Sequence, residues 1–215
     1  MSTIRKKRKR AIVDFTDKRV YNAVMISCVL LSAGESRRFG SPKALAVINN
    51  KSAIGVIQQT LLDSGLDEIF VVLGADRALI KPHVFNHKKV QLVYNKNYKF
   101  GQTSSFQAGI TSINKKAKGI MLFPVDCPFI TSATLRCLIE VFNEQNPSVL
   151  VPIFNHRRGH PSIFNASLKK EIMLLPAERG INTLFDRHAP TLLEVHDSGI
   201  LKTFNTPEEL KQSGN

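Results

Sequence analysis

Arg37, Arg38 and Lys43 stand close together in Ser32-Ala33-Gly34-Glu35-Ser36-Arg37-Arg38-Phe39-Gly40-Ser41-Pro42-Lys43, directly after the apolar run Val29-Leu30-Leu31. Small residues let a backbone come close to a ligand and offer its N–H groups to anions. With cations beside those amides, the chemistry such a loop suits is the binding of a polyphosphate. Asp126 ends a second apolar run in Phe123-Pro124-Val125-Asp126-Cys127-Pro128-Phe129. One carboxylate so placed can anchor Mg²⁺, which takes one or two carboxylates and completes its shell with phosphate oxygens and water; in isolation it would as readily cap the following turn. Asn205, in Thr203-Phe204-Asn205-Thr206-Pro207-Glu208-Glu209, offers a neutral oxygen, while Pro207 suits the first turn of a helix capped by Asn205 or Thr206. Ser104 and Ser105 fall at a helix start, where N–H groups favour anions and where simple capping serves equally well. His156 and His160 are four apart, but Gly159 and Pro161 rule out a helical metal pair. The six histidines show no spacing that supports a Ser-His-Asp or Cys-His nucleophile.

The stretch Leu31–Lys43 resembles the signature L-x-A/G-G-x-S-x-R-x-G-x-x-K of the MobA-like nucleotidyltransferases. Asp126 and the Asn205–Glu209 segment resemble further motifs of that family, and Asn95 with Gly101, Ser104 and Ser105 resembles its MocA-like, molybdopterin cytidylyltransferase branch. The guanylyltransferase branch usually carries Asp where Asn95 stands. What the resemblance implies is specific. Leu31, Ser32, Ala33, Gly34, Ser36, Gly40, Asn95 and Ser104 would bind the nucleotide, Lys43 and Arg38 would stabilise its phosphates, and Asp126 with Asn205 would hold Mg²⁺. Family acids commonly occupy the second metal position, so Asn205 is a weaker donor there. His160, in Arg157-Arg158-Gly159-His160-Pro161, and Arg179, in Glu178-Arg179-Gly180, would line the acceptor pocket. The implied reaction is transfer of NMP from an NTP, CTP favoured, to a phosphorylated acceptor of the molybdopterin type, with a molybdoenzyme as a further partner.

These loops need strands to carry them. From Met25 onward the pattern alternates apolar strands (Ile26–Leu31, Glu68–Leu73, Val90–Tyr94, Gly119–Phe123, Val149–Val151) with helical segments (Ser52–Leu62, Thr103–Ile113, Ser132–Phe142). Arg77–Val84 reads as a short helix limited by Pro82. Near-continuous apolar strands in β-α-β order predict a three-layer α/β/α sandwich around a mostly parallel, mixed sheet, the nucleotide-diphospho-sugar transferase type of fold in the resemblance. Ile153–Phe164 predicts a hairpin with its tip at Asn155–Gly159. Ser167–Leu175 and Ile181–Asp186 predict helices, Thr191–Val195 a strand, and Pro207–Lys211 a final short helix.

The totals set the outer bounds. The 215 residues suit one domain. Net charge is +13, and residues 1–24 hold eight Lys/Arg against two Asp, including Arg5–Arg10. Residues 1–24 are expected to be a disordered basic extension and 25–215 the nucleotidyltransferase domain. The remaining basic surface suits an anionic substrate, without requiring nucleic acid. Cys28, Cys127 and Cys137 are odd in number and form no C-x-x-C, as expected of reduced thiols in a cytoplasmic protein. No apolar stretch approaches the ~20 residues of a membrane helix. Other functions compatible with the sequence are transfer to a sugar phosphate, a non-catalytic nucleotide-binding chaperone that delivers a cofactor, and nucleic-acid binding through Arg5–Arg10.

Overall fold

Seven consecutive residues, Ile26–Ser32, are buried on both faces and form the central strand of the computed structural model, which describes residues 10–11 and 24–213. In chain order a two-residue strand β1 (Arg10–Ala11) is followed by this strand, β2, and by a small ribbon of β3 (Val47–Ile48) and β4 (Lys51–Ser52). Then come α1 (Ala53–Asp63), β5 (Glu68–Leu73), α2 (Arg77–Ile80), β6 (Val90–Tyr94), α3 (Gln102–Ser112) and β7 (Gly119–Pro124). The remainder is α4 (Ser132–Gln145), β8 (Val149–Phe154), β9 (Arg157–Arg158), β10 (Ser162–Asn165), α5 (Lys169–Leu174), α6 (Leu184–Arg187), β11 (Thr191–Glu194) and α7 (Pro207–Ser213).

The main sheet runs β6-β5-β2-β7-β10-β8-β11-β1, with β9 paired to the far end of β8. All neighbours are parallel except β10, which inserts antiparallel between β7 and β8, and β9, which folds back on β8. The expected mostly parallel α/β sheet is therefore present. Side chains alternate along β2. Ile26, Cys28 and Leu30 pack with Ile54, Ile57 and Leu61 of α1 and Leu135, Leu138 and Phe142 of α4. Val29 and Leu31 pack on the other face with Phe106 and Ile110 of α3, Ile172 of α5 and Leu184 of α6. Burying each such side chain contributes about 1.5–3 kcal/mol, which explains why these strands read as unbroken apolar runs. A third, small cluster of Ala46, Ala53 and Phe204, with Phe39, Ile48 and Leu210 against it, fastens α7 to the loop after β2.

The elements follow the sequence pattern closely, with three differences. The β3–β4 ribbon was not expected; its turn, Asn49-Asn50, has both residues at positive φ, the geometry of a tight hairpin. β10, expected only as an arm of the hairpin over Ile153–Phe164, pairs with β7 as well as with β8. Arg10–Ala11 runs parallel to β11, within the stretch expected to be extension; the rest of that expected extension, including Arg5–Lys9, and the weakly patterned Asp14–Ala23 lie outside the described residues. Cys28 and Cys127 are buried free thiols, pushed up in pKa by burial, and Cys137 is half-buried. No helix among the described residues is long and apolar enough to cross a membrane.

Two polar caps fix the helices that frame the sheet. Ser52 Oγ accepts from Gly55 N at the start of α1, and Thr131 Oγ1 accepts from Thr134 N at the start of α4. Asp197 joins the second cap from beyond β11. Its carboxylate accepts from Thr131 N and Oγ1 (both 3.0 Å), Thr134 Oγ1 (2.6 Å) and Gly199 N (2.8 Å). Burial alone would raise the Asp197 pKa, but the bonds from Thr134, Thr131 and Gly199 outweigh it and hold the carboxyl below the ordinary value. The stability it contributes is thus complete above the unfolded pKa of about 3.9 and is lost as pH falls through the lower folded value. Asp197→Asn is expected to lower the melting temperature at neutral pH. Thermal unfolding followed from about pH 7 to about pH 3 should show the gap between variant and wild type closing.

Candidate functional site

The parallel strands β6, β5, β2 and β7 all end on one side, and the loops that leave them surround a cleft of about 240 Å³. Open α/β sheets place their ligands at this carboxyl edge. The end of β2 contributes Leu31 and Ser32, the loop after it Ala33, Gly34, Ser36, Lys43 and Ala44, and the end of β7 with the residues just beyond it Pro124, Val125 and Asp126. The segment after β6 adds Tyr98, Gly101, Gln102 and Ser105, and α2 adds Ile80.

The loop after β2 holds its shape through Ser36 and Gly40, both at positive φ. The amides of Phe39 and Gly40 donate to the Ser36 carbonyl, and Lys43 N donates to Ser36 Oγ at 3.0 Å. A Cβ at Gly34 would meet nothing within 4 Å. Its backbone is exposed toward the cleft, and no internal packing explains the glycine. Gly74, at the end of β5, is different: a Cβ there would lie 2.5 Å from Tyr98 Cβ and 2.6 Å from the Ala33 carbonyl oxygen. Only glycine lets the loops after β2, β5 and β6 close together.

At the centre, Lys43 Nζ donates to Asp126 Oδ2 at 3.2 Å and to Asn205 Oδ1 at 2.9 Å. Arg38 Nη2 also donates to Asn205 Oδ1, at 3.0 Å. Phe204, fully buried, lies 5.9 Å below the Lys43 ammonium, meets Phe39 edge-on at 5.5 Å, and donates its N–H to the Asp126 carbonyl. Two cations against one carboxylate leave the centre positive, as an anionic ligand requires. Arg37 is not part of this group; it pairs at the surface with Glu35 at 2.7 Å.

The predicted residues divide into three sets. Leu31, Ser32, Ala33, Gly34, Ser36, Lys43 and Asp126 line the cleft, and Arg38 and Asn205 join it through the Lys43 group. Asn95 and Ser104 bond to each other behind the wall, and Gly40 serves the loop turn. His160 and Arg179 are not among the cleft-lining residues. The His160 N–H donates to the Ile200 carbonyl at 3.0 Å, and its ring Nδ1 is buried without a partner among the described residues. Burial lowers the His160 pKa, and the nearby Asp126 charge partly offsets this. Arg179 is exposed, and its carbonyl accepts from Thr103 Oγ1. Sequence reasoning gave no role to Tyr98 and Gln102 of the wall or to the supporting Phe204. Ser105 was visible beside Ser104, but nothing in the sequence told which of the two faces the cleft.

The chain belongs to the MobA-like NTP transferase domain family, whose model matches residues 28–192. It is 27% identical over 184 residues to the nicotine blue oxidoreductase of Paenarthrobacter nicotinovorans, with 80% of this chain and 86% of that protein covered. It is equally 27% identical, over 194 residues, to a protein of Geobacillus sp. (strain WCH70) named probable molybdenum cofactor guanylyltransferase, with 84% and 94% covered. In structure it is similar to Rv0371c of Mycobacterium tuberculosis, with a TM-score of 0.78, 24% identity and coverage of 88% and 97%. Rv0371c has also been solved as a manganese complex, which superposes with a TM-score of 0.74 at 23% identity over 88% of this chain and 98% of that one. These structures share the fold.

Gly74→Ala should force Tyr98 and the loop after β2 apart, because the added Cβ meets backbone as well as side chain. The expected outcome is at least about tenfold weaker binding of nucleoside triphosphates, measured by calorimetry, together with the destabilisation of about 1–3 kcal/mol typical of overpacking, read as a lowered melting temperature.

Proposed function

We propose that this protein transfers a nucleoside monophosphate from an NTP, CTP by preference, to a phosphorylated acceptor of the molybdopterin type, releasing pyrophosphate. The observation that carries the reading is the convergence of Lys43, Arg38, Asp126 and Asn205 at the mouth of a strand-end cleft in a chain of this family. Lys43 and Arg38 are suited to hold the β- and γ-phosphates and to offset the charge that grows on the leaving pyrophosphate. The loop backbone at Gly34 lies open beside them. An acceptor phosphate is already ionised at neutral pH, so no side chain need remove a proton, and catalysis reduces to alignment and charge stabilisation.

The donor set fits a divalent ion. Asp126 Oδ2 and Asn205 Oδ1 approach one ammonium from 3.2 and 2.9 Å, so two oxygens already surround one positive charge. Mg²⁺ and Mn²⁺ accept such donors and take the rest of their shell from phosphate and water. When bound, the metal would neutralise phosphate oxygens and orient them. Lys43 stands as a stand-in cation at this point and would exchange onto the phosphates.

His160, whose ring is within reach of the Asp126 charge, and Arg179, whose carbonyl accepts from Thr103 at the start of α3, are assigned to the acceptor. The acceptor reading draws on the relatives named molybdenum cofactor guanylyltransferase. Those same names favour GTP as a second reading of the donor, whereas Asn95 and its serine pair favour CTP. A cytoplasmic location suits the three free thiols.

Pyrophosphate release with four NTPs, molybdopterin or sugar phosphates, and Mg²⁺ or Mn²⁺ tests the reaction. Tight NTP binding without turnover in any pairing would leave only a nucleotide-binding role. Asp126→Ala and Lys43→Met should each lower turnover by about a hundredfold or more. Without nucleotide, Lys43→Met should bind Mn²⁺ several-fold more tightly than wild type, because the competing ammonium is gone; paramagnetic resonance of free Mn²⁺ reads this directly. Asp126→Ala should weaken Mn²⁺ binding in the same measurement.

A further inference from the structure

The positive charge of the domain is concentrated in one stretch of chain. From Arg77 to Val125 there are nine Lys/Arg and no Asp or Glu, whereas the rest of residues 25–215 holds thirteen Lys/Arg against fifteen Asp/Glu. That stretch forms α2, β6, α3 and β7. Exposed lysines flank β6 at both ends, Lys88 before it and Lys96 and Lys99 after it, with no acidic partner among the described residues. Arg77 adds a guanidinium over the Tyr94 ring, at 5.2 Å. Of the acids nearest in the chain, Asp67 and Glu68 accept from Ile26 N and Ser27 Oγ on the β2 side, and Asp76 is the one acid of the β5–β6 connection.

β6 is also the open edge of the sheet. The opposite edge is occupied by the chain's own β1, whereas β6 has β5 as its one neighbour among the described residues. All five of its residues are at least partly exposed, Tyr94 at 43%. Ile69 N–H donates to the Lys89 carbonyl and Asn95 N–H to the Leu73 carbonyl, both at 2.8 Å. Backbone direction alternates along a strand, so Gln91 and Val93 also face β5, while Leu92 and Tyr94 turn their N–H and carbonyl groups outward. Such an edge is a template for a further strand. Val90-Gln91-Leu92-Val93-Tyr94 contains no proline and no charge to obstruct one.

We infer that β6 is a docking edge for an extended, acidic segment of another protein, added to the sheet as a further strand. Backbone bonds to Leu92 and Tyr94 hold the segment, and Lys88, Lys96 and Lys99 select its charge. Charge argues against the other occupants. A second copy paired antiparallel about Leu92 sets each Lys88 directly opposite the other copy's Lys96, and like charges so placed repel. The chain's own N-terminal stretch is basic, and its Arg10–Ala11 lies at the far edge. Single-stranded nucleic acid stacks on aromatic faces, but Arg77 already covers one face of Tyr94. β6 runs on into the segment that gives Tyr98 and Gly101 to the cleft wall, so a docked strand ends beside the cleft. The surface stands independently of what the cleft binds.

The probe is a blocked peptide of alternating Val and Glu, about ten residues long, which spans β6 and both lysine flanks. The same peptide with Lys in place of Glu is the control. With the full chain, fluorescence anisotropy should show binding of the acidic peptide and none of the basic one. Lys88→Glu combined with Lys96→Glu should weaken that binding at least about tenfold. Hydrogen exchange at the Leu92 and Tyr94 amides should slow at least about tenfold in the complex, while the Gln91 and Val93 amides, already bonded to β5, change little. Tripolyphosphate at matched ionic strength should leave the peptide in place. No binding of the acidic peptide, an unchanged Kd in the double variant, or unprotected Leu92 and Tyr94 amides overturns the inference. Displacement by tripolyphosphate moves the peptide to the anion-binding cleft and overturns it too. A short oligothymidylate that binds more tightly than the peptide, and loses that binding in the double variant, makes the edge a nucleic-acid surface instead. If circular dichroism shows the double variant misfolded, exchange in the wild-type complex decides.

Discussion

One ammonium group ties the site together. Lys43 reaches Asp126, 83 residues on, and Asn205, 162 residues on, in the same 3 Å shell. Each of those contacts comes from a different element: a loop after the central strand, the end of its parallel neighbour, and the segment before α7. A side chain with four rotatable bonds does not hold such a geometry unaided. Phe204 supplies the constraint: its ring sits under the Lys43 head and against Phe39, while its N–H binds the Asp126 carbonyl. The apolar cluster around Phe204 is thus as much a part of the site as the charges above it.

The parallel sheet sets where such a group can form. With β6, β5, β2 and β7 aligned, their connecting loops must gather at one edge, and the small residues Gly34 and Gly74 let them approach. The result is a cleft with unequal walls. The loops after β2 and β7 bring opposite charges with a positive surplus, while the β6–α3 passage brings a tyrosine, an amide and oriented hydroxyls. Such a division suits a ligand with one anionic part and one uncharged part.

Much of this was legible in the sequence because the inner strands β2, β5 and β7 are buried on both faces and read as apolar runs, while the half-buried edge strand Val90–Tyr94 still shows Val90, Leu92 and Val93. The loop from Leu31 to Lys43 was legible because its small residues and cations stand close together along the chain. Features set by tertiary contact were not. β3 and β4 are two residues each, too short to show alternation, although Asn49-Asn50 is a turn signal. β10 finds its place between β7 and β8 only once both exist. Phe204 looked like any apolar residue ahead of a helix. Asn95 was singled out through a motif resemblance, yet its bonds run to Ser104, Ser105 and the Asn97 amide, a direction that spacing alone does not reveal.

The Phe204–Asn205 clamp has a consequence for the order of assembly. During synthesis, β2, β5, β6 and β7 are all available to pair before residues 204 and 205 leave the ribosome, and domains fold largely as their chain emerges. Sheet and cleft can therefore exist for a time without the contact that seats Lys43. The contacts of the charge cluster to Asn205 span 162 and 167 residues, and loop closure over such a span comes late. A nascent or nicked chain lacking that segment would retain the Lys43–Asp126 contact but lose the Asn205 bond and the Phe204 support, so pairing of the sheet and completion of the site fall at different moments in the life of the polypeptide.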